Sequence, residues 1–330
     1  MNNKEKIRWA ILGAGKIARK FVHDFQLTNG AELVAVASSD LERARVFAKE
    51  FSIANAYTHE ELYNNREIDV VYIATTHNSH FIHSRSCLEN NKAVLCEKPI
   101  TVNAGECRQL QMIAKERKVF LMEALWTYFL PSVYKAKEWI GNGRIGKLSA
   151  IHANFGYSME YDAASRLYNP SLAGGALLDL GIYPIAISTY FANKQPVAVF
   201  AAAVFSDTGV DETTNIILKY EDGISSLLFT SMVIQTLNSA FLYGDKGYIE
   251  IPDFFKAFSV RLFDSSHNLI ETFEDKRVGF GYEFQIQHVT DNLLSGKLES
   301  DVVTHSGSLL NQEIMMQVRD ITGLRYPMEK

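Results

Sequence analysis

Six mostly apolar residues, Ile7-Arg8-Trp9-Ala10-Ile11-Leu12, run straight into Gly13-Ala14-Gly15-Lys16-Ile17-Ala18. No other stretch constrains the fold as much. A strand that ends on two glycines and opens a helix starts a β-α-β unit, and such units assemble into parallel sheets. Glycines at 13 and 15 let the chain turn tightly and bring backbone N–H groups close to a ligand, while Ala18 lets the helix pack closely on the strand. The helix N-terminus adds a partial positive charge. These are the requirements of a pyrophosphate, so Gly13, Gly15, Lys16 and Ile17 are candidate dinucleotide contacts. A plain tight turn is the alternative, and the surroundings weigh against it.

Downstream the pattern repeats. Apolar runs at 7–12, 32–38, 69–74, 92–97 and 118–123 alternate with segments at 16–28, 40–51, 79–90 and 103–117 whose apolar residues recur at helical spacing. That alternation predicts right-handed crossovers and a doubly wound parallel sheet of the Rossmann type over 1–125. Near residue 125 the character changes. A helix is predicted at 131–141, a strand at 147–157, an irregular polar stretch to 173, and an apolar helix from Gly174-Gly175 to about 191. Strand-like runs joined by short turns then crowd 197–273, and helices at 281–295 and 305–322 close the chain. The expected fold class is α/β, with a second domain over 126–330 that is α+β and built on a large, mostly antiparallel open sheet. Such a sheet needs cover on both faces. Local helices can supply one and a second subunit the other, so a homodimer or higher homo-oligomer is expected.

At 330 residues the chain is long for a single core. A formal net charge of −5 without a basic run argues against nucleic acid and anionic membranes as partners. No run of about 18 uninterrupted apolar residues occurs, and the polar start, 1–6, carries no signal-like apolar region. Cys87, Cys96 and Cys107 form no Cys-x-x-Cys pair, which suits a reducing, cytoplasmic setting. The expected partner is a small molecule.

The end of the second strand should face the adenosine ribose, where Asp or Glu would bond a 2′-hydroxyl. Ser38-Ser39-Asp40 stands there, with Arg43 one helical turn on. Hydroxyls at that place tolerate a 2′-phosphate and Arg43 can pair with it, which favours NADP and leaves NAD open. Asp40 reads more plainly as an N-cap. Lys98 follows the apolar run 93–96, between Glu97 and Pro99. Ligands bind at the carboxyl edge of such sheets, so Lys98 is a candidate proton-exchanging group, with a solvated strand-end lysine as the alternative. Asp179 and Tyr183, four apart in an apolar helix, share a face. A carboxylate and a phenol there call for a polar cleft, unless Asp179 caps something local and Tyr183 packs in the core. His77, His80 and His83 lack accompanying carboxylates or cysteines, so no metal is expected. Trp126 is a pocket wall or core. Arg166, Tyr168 and Asn169 either cover a substrate or form a solvated loop.

Three motifs occur in order: Gly-x-Gly-x-x-Ala at 13–18, Glu97-Lys98-Pro99, and Gly-Gly-x-x-x-Asp-x-Gly-x-Tyr-Pro at 174–184. Together with the loop 74–80 and Gly244-Asp245-Lys246-Gly247, they resemble the Gfo/Idh/MocA family (glucose–fructose oxidoreductase / inositol dehydrogenase) over nearly the whole chain. Met122-Glu123-Ala124-Leu125-Trp126-Thr127 is most similar to its dimeric dihydrodiol dehydrogenase / D-xylose dehydrogenase branch, although Tyr128 stands where that branch usually has Arg. The resemblance implies an NADP-linked dehydrogenase of a sugar, polyol or cyclic diol. Thr75, His77, His80, Glu97, Lys98 and Trp126 would line the cofactor. Lys98 would be the catalytic lysine, with Asp179 and Tyr183 as the helix pair. Hydride would pass between nicotinamide C4 and a carbinol carbon. Either Tyr183 takes the hydroxyl proton while Asp179 orients, or Lys98 is itself the acid/base. A cofactor-retaining glycosidase or lyase and a nucleotide-sensing regulator are the competing readings. The joint presence of Lys98, Asp179 and Tyr183 weighs against the regulator.

Overall fold

Strands buried on both faces read as continuous apolar runs, and the first half of the chain is made of such runs. The computed structural model describes residues 5–329. Residues 1–4, which begin the polar start read for targeting, lie outside that range, as does Lys330. Strands β1 (Ile7–Leu12), β2 (Ala31–Ala37), β3 (Asn55–Tyr57), β4 (Val70–Ile73), β5 (Ala93–Cys96) and β6 (Leu121–Glu123) form one parallel sheet in the order β3-β2-β1-β4-β5-β6. The order reverses at β1, which puts a topological switch point beside its carboxyl end. The connecting helices are α1 (Lys16–Phe25), α2 (Leu41–Glu50), α3 (His59–Asn64), α4 (His77–Glu89) and α5 (Ala104–Arg117).

β3 and α3 were not anticipated. Three and six residues are too few to show a period. A local signal was present all the same: Thr58 and Glu61 form a reciprocal capping box at the start of α3.

The remaining elements are α6 (Pro131–Gly141), β7 (Leu148–Gly156), α7 (Ile182–Ala192), β8 (Ala198–Phe205), β9 (Asp211–Lys219), β10 (Ser225–Ser231), β11 (Ala240–Gly244), β12 (Gly247–Ile251), β13 (Ser259–Asp264), β14 (Leu269–Glu274), α8 (Tyr282–Leu294) and α9 (His305–Thr322). The eight strands form a second sheet, β14-β13-β12-β11-β7-β10-β9-β8. Every neighbour pair is antiparallel except β7–β10. The fold class is as expected.

The division of the chain differs from the expected single boundary near 125. One unit comprises Met1–Trp126 with Val278–Leu309, the other Thr127–Arg277 with Leu310–Lys330. The physical reason is a set of buried polar contacts that tie α8 to the first strand and helix. The Asp24 carboxylate of α1 accepts the backbone N–H groups of Phe280, Gly281 and Tyr282 at 2.9–3.0 Å, and the Trp9 indole donates to Thr290 Oγ1 at 3.2 Å. Glu283 shares the Gly281 N–H with Asp24. Burial and its carboxylate neighbour raise Glu283 to about 7, while Asp24 is held below its ordinary value.

The apolar helix predicted from Gly174 begins as a π-helical turn, Leu177–Gly181, before α7. The proline at 184 has no N–H to donate into the preceding turn, and π-turns arise where the regular ladder is interrupted. The stretch Pro170–Ala192 is apolar enough to cross a membrane, with a mean hydropathy of 1.4. Its place is the core, because 89 % of that window is buried inside the fold.

Candidate active site

The first unit holds the glycine turn. Gly13 has φ +112°, and a Cβ there would lie 2.5 Å from the Ala74 carbonyl oxygen, so only glycine fits. Its N–H donates to Ala37 O at 2.9 Å, which closes the turn between neighbouring strands. A Cβ on Gly15 would meet nothing within 4 Å. Gly15 is the N-cap of α1, no side chain caps this helix, and its first turn carries no acidic residue. Lys16 is exposed and Ile17 half-buried. An open, uncapped N-terminus with room above its second glycine fits a pyrophosphate.

At the end of β2, the Arg43 guanidinium folds back onto the serines. Nε donates to Ser38 Oγ at 2.9 Å and Nη2 to Ser39 Oγ at 3.0 Å. Asp40 caps α2, accepting the N–H groups of Glu42 and Arg43, which is its plainer reading. The strand end therefore presents hydroxyls and a guanidinium, a donor set suited to a phosphate ester.

Beyond β4, the Thr75 hydroxyl is buried and has no partner among the described residues. His80 is buried, with Nδ1 2.8 Å from Pro99 O and Nε2 3.2 Å from Thr75 O. Burial, helped by His77, pushes its imidazole down to about 3, so the ring is neutral and carries one N–H. We place that N–H on the shorter contact, toward Pro99 O. His77 sits 5.8 Å from His80, edge to face. His83 belongs elsewhere, bonded to the Tyr63 hydroxyl at 2.6 Å and packed on His59. Among the described residues no metal-ligating cluster forms.

Lys98 is half-buried, in a turn at the end of β5 that side chains hold from several elements. Glu97 is buried. It accepts the Tyr72 hydroxyl and, at 3.2 Å, the Lys98 N–H. Glu123, the last residue of β6, accepts the Ile100 N–H at 2.9 Å. Trp126 is buried and stacks on Tyr282 of α8, ring centroids 4.7 Å apart.

In the second unit, Asp179 lies on the π-turn and is 6 % exposed. Both its oxygens face the Arg166 guanidinium, at 3.2 and 3.4 Å, a bidentate pair that assigns the polar stretch before Gly174 a partner. Tyr183, on the first turn of α7, packs edge-on against Phe155 at 5.2 Å. Tyr168 is fully buried and Asn169 caps a short turn, so neither belongs to a solvated loop. Tyr128, where the resemblance led one to expect Arg, is buried and donates to Ala186 O at 2.7 Å.

Reading by sequence missed Asp211. It is fully buried at the start of β9 and accepts the Leu177 N–H at 2.8 Å and the Thr214 hydroxyl at 2.6 Å. It thus caps the π-turn from outside. A Cβ on Gly175 (φ +109°) would come within 2.3 Å of its Oδ1, and one on Gly174 within 2.4 Å of Leu167 O. Gly175 makes room for this cap, and Gly174 for the backbone of Leu167. Burial raises Asp211 to about 6.

With this geometry in place, comparison with known proteins is informative. Residues 7–125 match the model of an oxidoreductase family with an NAD-binding Rossmann fold, and residues 133–250 match the GFO/IDH/MocA C-terminal domain. Trans-1,2-dihydrobenzene-1,2-diol dehydrogenases of Mus musculus and Sus scrofa are 34 % and 35 % identical, over 98 % of this chain and 99 % of theirs. Aldose-aldose oxidoreductase from Caulobacter crescentus, solved with glycerol, shares the fold at a TM-score of 0.88 and 22 % identity, covering 96 % of this chain and 98 % of that one. A 3-ketoreductase from Actinomadura kijaniata, solved with NADP and TDP-benzene, does so at 0.87 and 23 %, with the same coverage. The chain belongs to the Gfo/Idh/MocA family and is a nicotinamide-dependent oxidoreductase, a dehydrogenase of CH–OH groups.

Proposed function

We propose that this enzyme is NADP-linked and acts on a vicinal diol or a sugar. The observation that carries the substrate class is the end-to-end similarity to trans-1,2-dihydrobenzene-1,2-diol dehydrogenases. The cofactor preference rests on Arg43, held by both serines at the end of β2. Gly13, Gly15, Lys16 and Ile17 would hold the pyrophosphate; Ser38, Ser39 and Arg43 the 2′-phosphate; and Thr75, His77, His80, Glu97, Lys98 and Trp126 the nicotinamide side. The nicotinamide, when bound, supplies the acceptor or donor of the hydride.

The chain's own residues manage the proton. When a carbinol is oxidised, its carbon loses a hydride and its oxygen a proton. Tyr183 is assigned to exchange that proton through its phenol oxygen. Lys98 is assigned to the same hydroxyl as a cationic hydrogen-bond donor, favouring the alkoxide that forms. Asp179 orients the substrate hydroxyls, and Arg166 fixes the carboxylate for that task.

The second sheet supports the dimer. Phe200, Ile217 and Leu227 are cross-strand neighbours on one row and are 54 %, 41 % and 47 % exposed. The row continues through His152 and Phe241. We assign this apolar face to a second copy of the chain. The three cysteines are unpaired and buried, and the proposal includes a reducing compartment such as the cytoplasm.

Initial rates of cofactor reduction test the reading. NADP+ and NAD+ are each run with trans-1,2-dihydrobenzene-1,2-diol, aldoses and inositols, beside Lys98→Met. Turnover of one diol or sugar with NADP+, lost in the variant, is the expected result. Tightly held cofactor with no net reduction would instead identify a lyase or glycosidase.

A further inference from the structure

We propose that Glu123 is a positioning residue for Lys98, holding the lysine's turn through the Ile100 N–H and facing it with a carboxyl group that exchanges a proton. The inference rests on the reading of Lys98 as catalytic. Glu123 is 1 % exposed. Its Oε1 accepts the Ile100 N–H, two residues past Lys98, at 2.9 Å. Its Oε2 is buried and has no hydrogen-bond partner among the described residues. An ionised carboxylate at that depth is costly even with the Ser308 hydroxyl beside it, so the group is a natural place to keep a proton.

The groups around it belong to four elements. The end of β5 and its turn contribute the Cys96 thiol, Glu97 and Lys98, and α9 contributes the Ser308 hydroxyl. β4 contributes the Tyr72 hydroxyl, which is bonded to Glu97. His80 of α4, with His77 beside it, reaches the same turn through the Pro99 carbonyl. Burial first, and then the charge of Glu97, raise Glu123 to about 7, against the pull of Ser308, the Ile100 N–H and Lys98. Loss of the Glu123 proton adds one negative charge beside the lysine turn. The field at Lys98 therefore changes within the working range of the enzyme, without any group of the substrate titrating.

The test compares wild type, Glu123→Gln, Glu123→Asp and Lys98→Met. kcat with NADP+ and trans-1,2-dihydrobenzene-1,2-diol is followed between about pH 5 and 9. A measurement without turnover runs alongside: the rate at which acetic anhydride acylates Lys98 at each pH, read by peptide mass spectrometry. Wild type is expected to show an inflection near pH 7 in both. Glu123→Gln, which keeps the amide oxygen for Ile100, removes the inflection, lowers kcat about tenfold and leaves NADP+ affinity within about twofold. Glu123→Asp keeps an inflection.

An inflection that survives in Glu123→Gln overturns the proposal, and so does its absence from wild-type acylation. A fall in kcat that only tracks lost folded protein, with the profile unchanged in shape, assigns Glu123 a structural role and overturns it too. If Lys98→Met turns over normally, the catalytic reading fails and takes this inference with it. If Lys98→Met is inactive while Glu123→Gln keeps the wild-type profile, this inference fails alone.

Discussion

Two glycines two residues apart do different work. Gly13 is barred from bearing a side chain by its φ of +112° and by the Ala74 carbonyl, whereas Gly15 has open space where a Cβ would go. Gly13→Ala is expected to lower stability by about 1–3 kcal/mol, read by chemical denaturation, with cofactor affinity falling as well. Gly15→Ala should unfold like wild type yet bind NADP+ about tenfold more weakly, because its methyl group occupies the ligand's approach. Equal loss of stability in both variants would contradict this division. Arg43→Ala is expected to weaken NADP+ by tenfold or more while leaving NAD+ nearly unchanged, as checked by fluorescence titration of both. At this scale the sequence was legible wherever a residue belongs to a local pattern: the glycine turn, Asp40 as a cap, the serines with Arg43. It was silent on Glu123 and Asp211. Each is a carboxylate at one end of a strand, and each owes its role to a backbone N–H far away in the chain, at Ile100 and Leu177.

Helices and strands long enough to show a period were legible to within a few residues, from β1 through α9. The π-turn at Leu177–Gly181 was not, because helical spacing is the same signal whether or not one turn is widened. Its start is held from another strand as well: Asp211 supplies an external acceptor to Leu177, and Gly175 leaves space for the carboxylate. Asp211→Ala should cost about 1–3 kcal/mol through the orphaned N–H, and should lower kcat more than it raises KM, since Asp179 and Tyr183 sit on and just after this turn. An unchanged kcat at full folding would show that the turn does not depend on its cap. On the open face of the second sheet, Leu227→Glu is expected to convert a dimer to a monomer in sedimentation velocity.

Three buried carboxyl groups give the whole molecule an unusual pH dependence. Glu123 and Glu283 are raised from an ordinary 4.5 to about 7, and Asp211 from 3.8 to about 6. For each, the folded chain holds a proton that the unfolded chain has released, so stability falls as pH rises through the window between those values. For fully buried Glu123 the span is worth about 3 kcal/mol. The Asp24 partner of Glu283 moves oppositely and offsets part of that pair's share. Below about pH 6.5 the buried imidazoles of His80 and His83, pushed down to about 3 and 4, act in the opposite direction, so the carboxyl share is read as a difference between variants. Relative to wild type, Glu123→Gln with Asp211→Asn should gain melting temperature between about pH 5 and pH 8, and a difference that does not change with pH would contradict the assignment.

The return of Val278–Leu309 to the first unit also sets a timetable. The ribosome makes the nucleotide-binding half first, but Trp9 waits for Thr290 and Asp24 for the amides of 280–282, which emerge only after the whole second sheet has been translated. At about 5–20 residues per second, the nascent half spends many seconds with those anchors missing. A release after residue 277 would leave an early-made domain that never closes.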